Sequence, residues 1–503
     1  MANVDFPHRD NTARPIAARP RTADRVSALQ KLPLTPSSFG WLHLGLMGCL
    51  CVFLQAGCAH FDTKPLSAGA SADKLERRSL TNVDLRTFVE GNLNKPLPSR
   101  QWDLDGLTWA AFFYHPSLEL ARAQWAVARG GEVTAGQHPN PTLTVSPSYN
   151  TTTAMASPWL TVATLDVPIE TAGKRGHRRA EAASLAEAAR LNIATTAYKV
   201  RSDVRAALVE VIGAEARNQL IQEQVEVQRN LVERMEQQFQ AGAISAAEAL
   251  PMRLALERAQ LDAADAQRLR TEARSHLAEA LGLPLVALAG VDFKFELNDP
   301  MLSAQELTTA QIRREALLSR PDILSALAEY RASESALRLE IAKQYPDVHL
   351  QPGYEFDQGD NKWGLGFTIE LPVLNQNQGP IAQARARRQE SAAKFEALQA
   401  RVLAEIDRTL ELFRTTQSNS ALLRALAEMA AERLQTAEQQ FKSGAIDQTE
   451  VQNSRLEAVS ARLIQLDGQI KFQQAVGALE NAIQRPLELP RAIFQSTENH
   501  AAP

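Results

Sequence analysis

Four short segments of the chain alternate apolar and polar residues with a period of two, which predicts strands with one apolar face. The clearest alternation places these side chains on one side of residues 348–356: Val348, Leu350, Pro352, Tyr354 and Phe356. Each run has about 9–11 residues, the length that a tilted strand needs to cross a bilayer. Soluble hairpins packed on helices are the alternative. If the strands face lipid, several chains must contribute, because four strands cannot close a barrel and open edges are not tolerated there.

Segments with helical spacing flank each pair of predicted strands. The predicted helices are 109–137, 178–238, 247–282, 309–344, 380–440 and 449–485. Apolar residues recur at coiled-coil spacing, as at Leu422, Leu426 and Met429, but alanine, glutamine, glutamate and arginine fill the other faces. Such helices offer little apolar surface for a globular core. This pattern favours a hollow tube with solvent on both sides.

The chain is a duplication of one strand–strand–long-helix unit. The phrase EQQFQAGAISAAE (Glu236–Glu248) recurs as EQQFKSGAIDQTE (Glu438–Glu450), with eight of thirteen positions identical. Earlier in each half, HPSLELARAQW (His115–Trp125) aligns with RPDILSALAEY (Arg320–Tyr330). A single repeat of this length indicates internal pseudo-symmetry, because short-period solenoids have units of 20–50 residues.

The predicted organisation follows from this duplication. Its segments are a leader and signal peptide (1–57), an N-terminal periplasmic extension (58–105), a first repeat (106–285), an equatorial linker (286–308), a second repeat (309–487) and a C-terminal tail (488–503).

The N-terminus has the pattern of an export signal. A basic, proline-bearing leader precedes WLHLGLMGCLCVFLQAGC (Trp41–Cys58), whose apolar part is too short for a spanning helix. The ending AGC resembles a lipoprotein processing site, which predicts lipidation of Cys58. An ordinary cleaved signal is the alternative.

Composition and motifs argue against several functions. A net charge of −4 gives no electrostatic footprint for nucleic acid. The three cysteines lie within ten residues of one another, so a disulfide framework and a cysteine zinc site are excluded for the body of the chain. The nine histidines are scattered, and catalytic motifs are missing from the sequence. We therefore expect that the protein is not an enzyme and that it has no cofactor and no resident metal site.

The duplication, the element order and the two glycine turns together resemble the TolC-like outer-membrane efflux channels (outer membrane factors). The resemblance covers residues ~100–490 and implies a fold that is mainly α with membrane β. It implies a homotrimer in which each chain adds four strands to a twelve-stranded barrel, continued by an α-helical barrel across the periplasm.

One segment resembles the heavy-metal, CzcC-like branch of this family. In DVPIETAGKRGHRRAEA (Asp166–Ala182), a strand ends in a basic segment that enters the long helix. Gly173 and Gly176 are predicted to supply the tight turn. The basic residues of this turn are Lys174, Arg175, Arg178 and Arg179. The alternative to a substrate role is a basic membrane-proximal collar. The second copy lacks these residues, so we expect the two turns to differ.

In this family the helical hairpin tips dock onto a periplasmic adaptor, which links the channel to an inner-membrane pump. The resemblance therefore predicts an adaptor contact at Gly242, Ala243, Ile244, Ser245, Gly444, Ala445, Ile446 and Asp447. A second interpretation, compatible with the first, is that these residues reverse the helices, with Ser245 and Asp447 as N-caps.

The family also narrows its tunnel with acidic residues six positions after the second glycine. That position is Glu450 here, and Asn453 occupies the place of a second acid. A threefold ring of carboxylates favours cations. The alternative is that Glu450 is only a partner of the helix dipole.

The sequence thus predicts an outer-membrane channel of a tripartite, proton-driven (RND-type) efflux system that exports heavy-metal cations. Its expected partners are two further copies, a periplasmic adaptor, an inner-membrane RND pump and outer-membrane lipid. We expect it to be lipid-anchored and to extend from the outer membrane into the periplasm. The alternatives are a channel for drugs or organic solutes and, less favoured, a periplasmic coiled-coil scaffold.

Overall fold

The computed structural model describes residues 61–97, 101–152, 155, 157–298 and 309–486. The predicted leader, Cys58 and the predicted tail lie outside these described residues. The chain divides into two units, of which the larger is Lys74–Glu488. Of the smaller unit, only residues 61–73 are described.

The described elements are numbered in chain order. The helices are α1 (Ala68–Glu76), α2 (Val83–Leu93), α3 (Leu104–Tyr114), α4 (Pro116–Gly136), α5 (Lys174–Gln240), α6 (Ala246–Leu281), α7 (Thr309–Ser319), α8 (Pro321–Ala342), α9 (Gln378–Lys442) and α10 (Gln448–Ile483). The strands are β1 (Gln101–Trp102), β2 (Thr142–Tyr149), β3 (Trp159–Ile169), β4 (Asp292–Phe293), β5 (Val348–Asp357) and β6 (Asp360–Ile369). A short 3₁₀ helix spans Leu285–Leu288.

The helices and strands repeat as the sequence predicts, with one correction. Elements α4, β2, β3, α5 and α6 recur in the same order as α8, β5, β6, α9 and α10. The predicted helices 109–137 and 309–344 are wrong as single helices, because each divides in two. The breaks fall immediately before Pro116 and Pro321, which occupy the first helical position of α4 and α8. Proline fits that position but disfavours a helical conformation in the residue before it.

Long helices lie beside pairs of shorter ones. Helix α5 has 67 residues and α9 has 65, so each is ~100 Å long. Helix α5 packs against both α4 and α6, while α9 packs against both α8 and α10. The two repeats join where α5 contacts α8 and α10. In each repeat, one continuous helix thus lies beside two shorter ones.

At each joint, where the end of one helix meets the start of the helix stacked on it, an arginine donates hydrogen bonds to main-chain oxygens. In the first repeat, Arg78 donates hydrogen bonds to the carbonyl oxygens of Tyr114, at 2.8 Å, and Gly282, at 2.9 Å. In the second repeat, Arg320 precedes α8 and donates to the carbonyl oxygen of Ala482 near the end of α10. Carbonyl groups at a helix C-terminus carry partial negative charge, so both guanidinium groups stabilise their joints.

A buried charge network ties α5 to α10. The Arg205 guanidinium donates to the main-chain oxygen of Gln473 at 2.6 Å and to its side-chain oxygen at 2.8 Å. Its Nε lies 3.4 Å from a carboxylate oxygen of Glu480. A Cβ at Gly477 would lie 3.0 Å from the Arg205 guanidinium, so the glycine makes room for it. These buried charges are paired and hydrogen-bonded, which their burial requires.

The two largest apolar clusters lie near the joints, and a smaller one lies further along α5 and α6. The largest is formed where α2, α3, α5 and α6 meet, and its buried members include Leu107, Leu208 and Leu277. A second cluster joins α7, α9 and α10 around Ile406, Phe413 and other residues. Elsewhere helix contacts rest largely on alanine, as expected from the composition.

Four strands form one antiparallel sheet in the order β2–β3–β5–β6. The register pairs Leu143 with Leu165, Leu350 with Val167 and Leu350 with Phe367, among other pairs. Paired residues share a face and successive residues alternate, so every predicted apolar alternation falls on the same face. Strands β2 and β6 are the edges of the sheet, each bonded to one neighbour only.

Replacing Gly282 with alanine is expected to lower thermal stability. Gly282 has a φ of +67°, and an added Cβ would lie 3.2 Å from the Cα of His115 and 3.2 Å from the carbonyl oxygen of Tyr114. The left-handed conformation alone costs an L-residue about 1–2 kcal/mol. The apparent melting temperature, followed by circular dichroism in detergent, should fall.

Gly131→Ala in α4 is the matched control. Gly131 lies inside a helix, and nothing lies within 4 Å of an added Cβ. This variant should gain about 0.5–1 kcal/mol, because alanine is the better helix former. A Gly282→Ala protein that melted at or above the wild-type temperature would contradict the joint as described.

Candidate functional site

One face of the four-stranded sheet is uncharged and carries aromatic residues near the hairpin loops. The rings of Tyr149 and Trp159 lie 5.1 Å apart, and those of Tyr354 and Trp363 lie 4.9 Å apart. Trp363 is 82 % exposed. Tyrosine and tryptophan concentrate where hydrocarbon meets lipid headgroups. This face therefore has the pattern of a lipid-facing surface, with an aromatic girdle at its loop end.

The opposite face carries all the acidic and basic side chains of these strands. They are Asp166, His349, Glu355, Asp357, Asp360 and Lys362. Nδ1 of His349 lies 3.0 Å from a carboxylate oxygen of Asp166, and Gln351 donates to the other oxygen at 3.3 Å. The sheet is thus apolar on one side and suited to water on the other.

The turn from β3 into α5 uses two consecutive left-handed residues. Ala172 has a φ of 53° and Gly173 has a φ of 70°. The predicted role of Gly173 is confirmed, but that of Gly176 is wrong, because Gly176 lies in the first turn of α5. Ala172 takes the second left-handed position instead, at a cost of about 1–2 kcal/mol.

The four predicted basic residues of this turn fall into two pairs. Lys174 is buried and donates to the carbonyl oxygen of Tyr345 at 2.7 Å and to Asp347 at 2.8 Å. Arg178 forms a two-point ion pair with Glu170. Lys174 and Arg178 therefore hold the turn together, whatever else they contact.

The other pair is more accessible. Arg175 is half-buried and lies 3.2 Å from Nδ1 of His138, whereas Arg179 is exposed. Any role of this pair toward a ligand stays a prediction.

Asp347 is the carboxylate on which this turn depends. Burial alone would raise the pKa of Asp347, but the hydrogen bonds from Lys174 and from the Thr171 N–H outweigh it and hold the pKa below its usual range. A depressed folded-state pKa stabilises the fold above the unfolded value of about 3.9, and this contribution is lost as the pH falls through the folded value. The turn is therefore held by an ionised aspartate at neutral pH.

The corresponding turn of the second repeat uses different chemistry. Asn377 has a φ of 61° and precedes α9. Its side chain donates to the main-chain oxygen of Glu340 at 2.7 Å and to the Glu340 carboxylate at 2.8 Å. Asparagine tolerates the left-handed region better than most residues. The two turns differ, as the sequence predicts.

The two helical hairpin tips share one backbone design. At Gly242 the chain has a φ of 72° and at Gly444 it has a φ of 76°. The N–H of the next residue, Ala243 or Ala445, reaches back to a carbonyl oxygen inside the preceding helix at 2.8 or 2.9 Å. This is the Schellman ending, which requires a residue that accepts positive φ.

Each tip then restarts a helix with a side-chain cap. The Ser245 hydroxyl accepts a hydrogen bond from the Glu248 N–H, and Glu248 reaches back to the Ser245 N–H at 2.7 Å. Asp447 accepts from the Glu450 N–H at 2.9 Å. Ile244 and Ile446 are half-buried, and the other predicted contact residues are exposed. The helix-reversal interpretation is confirmed, and the adaptor contact stays a prediction.

The repeated phrase also carries an ion pair that closes each hairpin. Glu236 pairs with Arg253 at 2.7 Å in the first hairpin, and Glu438 pairs with Arg455 at 3.0 Å in the second. Both pairs span 17 residues. This equal spacing of opposite charges about a glycine turn is a signal that could have predicted the pairs from sequence.

The predicted aperture residues lie on one exposed stripe of α10. Glu450, Asn453 and Glu457 are all exposed and are spaced as one helix face. Arg433 of α9 lies 3.8 Å from Glu450 and 2.8 Å from Glu457. No pattern in the sequence indicates Arg433, which partly compensates the charge of the two carboxylates. Whether this stripe lines an aperture stays a prediction.

Two further features are missing from the described residues. No helix in the described part of the chain is both long and apolar enough to cross a membrane. Among the same residues, no three histidine, cysteine, aspartate or glutamate side chains are grouped so that they could hold a metal ion.

A duplicated strand–strand–long-helix chain, with a two-faced sheet at one end and glycine-capped helical hairpins, has the fold of a TolC-like channel protein. The chain belongs to the outer membrane efflux protein family, whose sequence profile matches residues 114–283 and 312–484.

Individual relatives agree with this assignment. The cobalt-zinc-cadmium resistance protein CzcC of Cupriavidus metallidurans is 26% identical over 277 residues, which cover 53% of this chain and 62% of that protein. The protein named "Probable outer membrane lipoprotein SilC" of Salmonella typhimurium is 24% identical over 148 residues, covering 27% of this chain and 32% of that one. The chain thus aligns with less than two thirds of the length of either relative.

A crystal structure of CusC, described in connection with transmembrane channel formation, has the same fold. It superposes with a TM-score of 0.61 at 20% identity, covering 76% of this chain and 91% of that chain.

Glu450 and Arg433 are expected to shift ion selectivity in opposite directions. Glu450→Gln removes a carboxylate from the stripe and should lower the cation preference of single-channel conductance. Arg433→Gln removes the cation beside Glu450 and Glu457 and should raise that preference. The reversal potential across a salt gradient in planar bilayers measures both changes.

Glu428→Gln serves as the control, because it makes the same charge change at an exposed position of α9 away from that stripe. Unchanged selectivity in Glu450→Gln, or an equal change in the control, would remove Glu450 from the aperture.

Proposed function

We propose that the chain is one of three identical subunits of an outer-membrane channel, the outermost part of a tripartite RND-type efflux system that exports heavy-metal cations. The observation that carries this proposal is the two-faced sheet with two open edges. Membership in the outer membrane efflux protein family and the fold shared with CusC support it.

The strand order makes closure with further copies geometrically consistent. The four strands alternate in direction, so β6 of one copy would lie antiparallel to β2 of the next. The same edge-to-edge contact repeated around a rotation axis closes into a ring. Three copies give an even, twelve-stranded barrel with no free edge, the condition for backbone in lipid.

The helical layer is open in the same way. Within the protomer the four helices of the two hairpins pack in the order α6–α5–α10–α9, so α6 and α9 are the edges of this layer. Helix α6 packs on α5 through Ala259, Ala263 and Ala266. Leu250, Leu254 and Leu261 lie on its other side and are 54%, 51% and 69% exposed. Such an apolar stripe fits burial against α9 of the next copy.

Transport through this channel would be passive. The proposal places the glycine tips against a periplasmic adaptor, which couples the tunnel to a proton-driven inner-membrane pump. The carboxylates of the Glu450 stripe would favour cations. The heavy-metal cargo is supported by the similarity to CzcC, and the anchoring of Cys58 by the similarity to SilC. A channel for drugs or organic solutes remains the second candidate.

The assembly is tested by placing charges on the α6 stripe. Leu254→Lys combined with Leu261→Lys should shift the detergent-solubilised protein from a trimer toward smaller species, because three copies each bring two ammonium groups into an apolar contact. Size-exclusion chromatography with light scattering gives the mass.

Val286→Lys combined with Leu318→Lys is the matched control, since these residues are 83% and 67% exposed and lie outside the α6 edge. A wild-type protein that is monomeric while its strands are folded would overturn the trimeric channel.

The cargo is tested by removing the chain from its native host. The deletion strain is expected to become sensitive to cobalt, zinc or cadmium, and to keep its resistance to organic antibiotics. Re-expression should restore growth in metal, whereas a chain with the two lysines on α6 should not. Sensitivity to organic compounds alone would favour the second candidate.

A further inference from the structure

The apolar face of the sheet ends sharply at the side where the long helices begin. Its last outward residues include Ile169 and Ile369, which are 48% and 39% exposed. After β6 the exposed apolar positions continue briefly to Leu371 and Val373, at 71% and 78%. Beyond these residues the helices α5 and α9 start at Lys174 and Gln378.

A group of arginines follows directly after this boundary, which we call the arginine collar. Its members are Arg175, Arg179, Arg385, Arg387 and Arg388. All are exposed except the half-buried Arg175. Along the helix axes they lie within ~15 Å of the first residues of α5 and α9. Both repeats contribute, although the basic residues occur at different positions in each.

The collar is distinguished by its position beside the apolar boundary, where its arginines concentrate positive charge; Arg387 also lies within electrostatic reach of Glu340 and Glu390. In the described part of the chain, no collar arginine lies within ion-pair distance of a carboxylate. Arg175 contacts the His138 ring instead. Neighbouring basic residues are matched, as in Lys174 with Asp347 at 2.8 Å and Lys343 with Glu340 at 2.7 Å. Even Glu390, within the same turns of α9, pairs with Lys394 at 2.7 Å.

We propose that the arginine collar binds the phosphate-bearing headgroups of anionic phospholipids in the leaflet that faces the periplasm. Arginine forms two-point hydrogen bonds with phosphate, and its aliphatic stem can lie along apolar surface while the head stays in the headgroup layer. The exposed end of the apolar face supplies the acyl-chain contact immediately beside it. The proposal rests on the membrane orientation of the proposed function.

The N-termini of the two long helices add to the same field. Gly173 and Asn377 cap α5 and α9 without a side-chain hydrogen bond to the free N–H groups of the first turn. These N–H groups carry partial positive charge and point toward the headgroup layer. They strengthen the attraction that the arginines establish.

The test measures which lipid the full-length protein keeps. Protein purified in a neutral detergent is mixed with micelles that contain equal amounts of phosphatidylethanolamine and phosphatidylglycerol. After repurification, the retained lipids are counted by mass spectrometry. The wild-type protein should retain several-fold more phosphatidylglycerol than phosphatidylethanolamine. A single arginine near an anionic surface changes binding by up to about fivefold.

The collar variant combines Arg175→Gln, Arg179→Gln, Arg387→Gln and Arg388→Gln, and it should lose most of the preference for phosphatidylglycerol. The control variant combines Arg258→Gln, Arg401→Gln, Arg408→Gln and Arg424→Gln, four exposed arginines further along α6 and α9. It changes the net charge equally and should keep the wild-type preference. Circular dichroism confirms that both variants fold.

Three results would overturn the proposal. They are an equal loss of preference in the control variant, displacement of phosphatidylglycerol by an equal concentration of inorganic phosphate, and a changed reversal potential of the collar variant with unchanged lipid retention. The last result would place the arginines along the ion path. A chain that retains phosphatidylglycerol by its collar but conducts no ions would overturn the proposed channel and leave the collar supported.

Discussion

The need to hydrogen-bond every backbone group in lipid governs this molecule. The sheet β2–β3–β5–β6 satisfies its interior strands, but among the described residues no strand pairs with the outer N–H and C=O groups of β2 and β6. In water such edges cost little, whereas in hydrocarbon each unpaired group costs several kcal/mol. One constraint thus explains why the apolar face is uncharged on all four strands, and it is the reason for the proposal that further copies complete the sheet.

The helical part is under a different constraint. Its helices form a single layer, which has no interior in which large residues could be buried. Helices approach closely through small residues: a Cβ at Gly213 would lie 2.6 Å from Ile470, and one at Gly468 would overlap the side chain of Leu423. Specificity along these contacts comes from cross-helix ion pairs such as Glu223 with Arg462 at 2.9 Å. The low aromatic content and the abundant alanine follow from this design.

Much of this fold was predictable because its signals are local and periodic. The alternation in residues 348–356 placed its side chains on the correct face, and the repeated glycine phrase located both hairpin tips. The two prolines Pro116 and Pro321 also indicate helix breaks in the sequence. The helical periodicity continues across both prolines, however, and predicts a single helix in each case. What sequence could not supply were pairings set by how the helices stack. Arg433 lies opposite Glu450 and Glu457 only because α9 and α10 pack in one register. Ala172 takes a strained turn position because Lys174 and Asp347 hold it there.

The arginines that stabilise the two joints come from different parts of the chain. In the second repeat Arg320 belongs to the repeat itself, whereas the first repeat receives Arg78 from the segment that precedes it. A shortened polypeptide beginning at α4 would still contain the four-stranded sheet and both long helices. It would lack the arginine that stabilises the joint of the first repeat. The first half therefore depends on a residue outside its own repeat at this joint, and the second half does not.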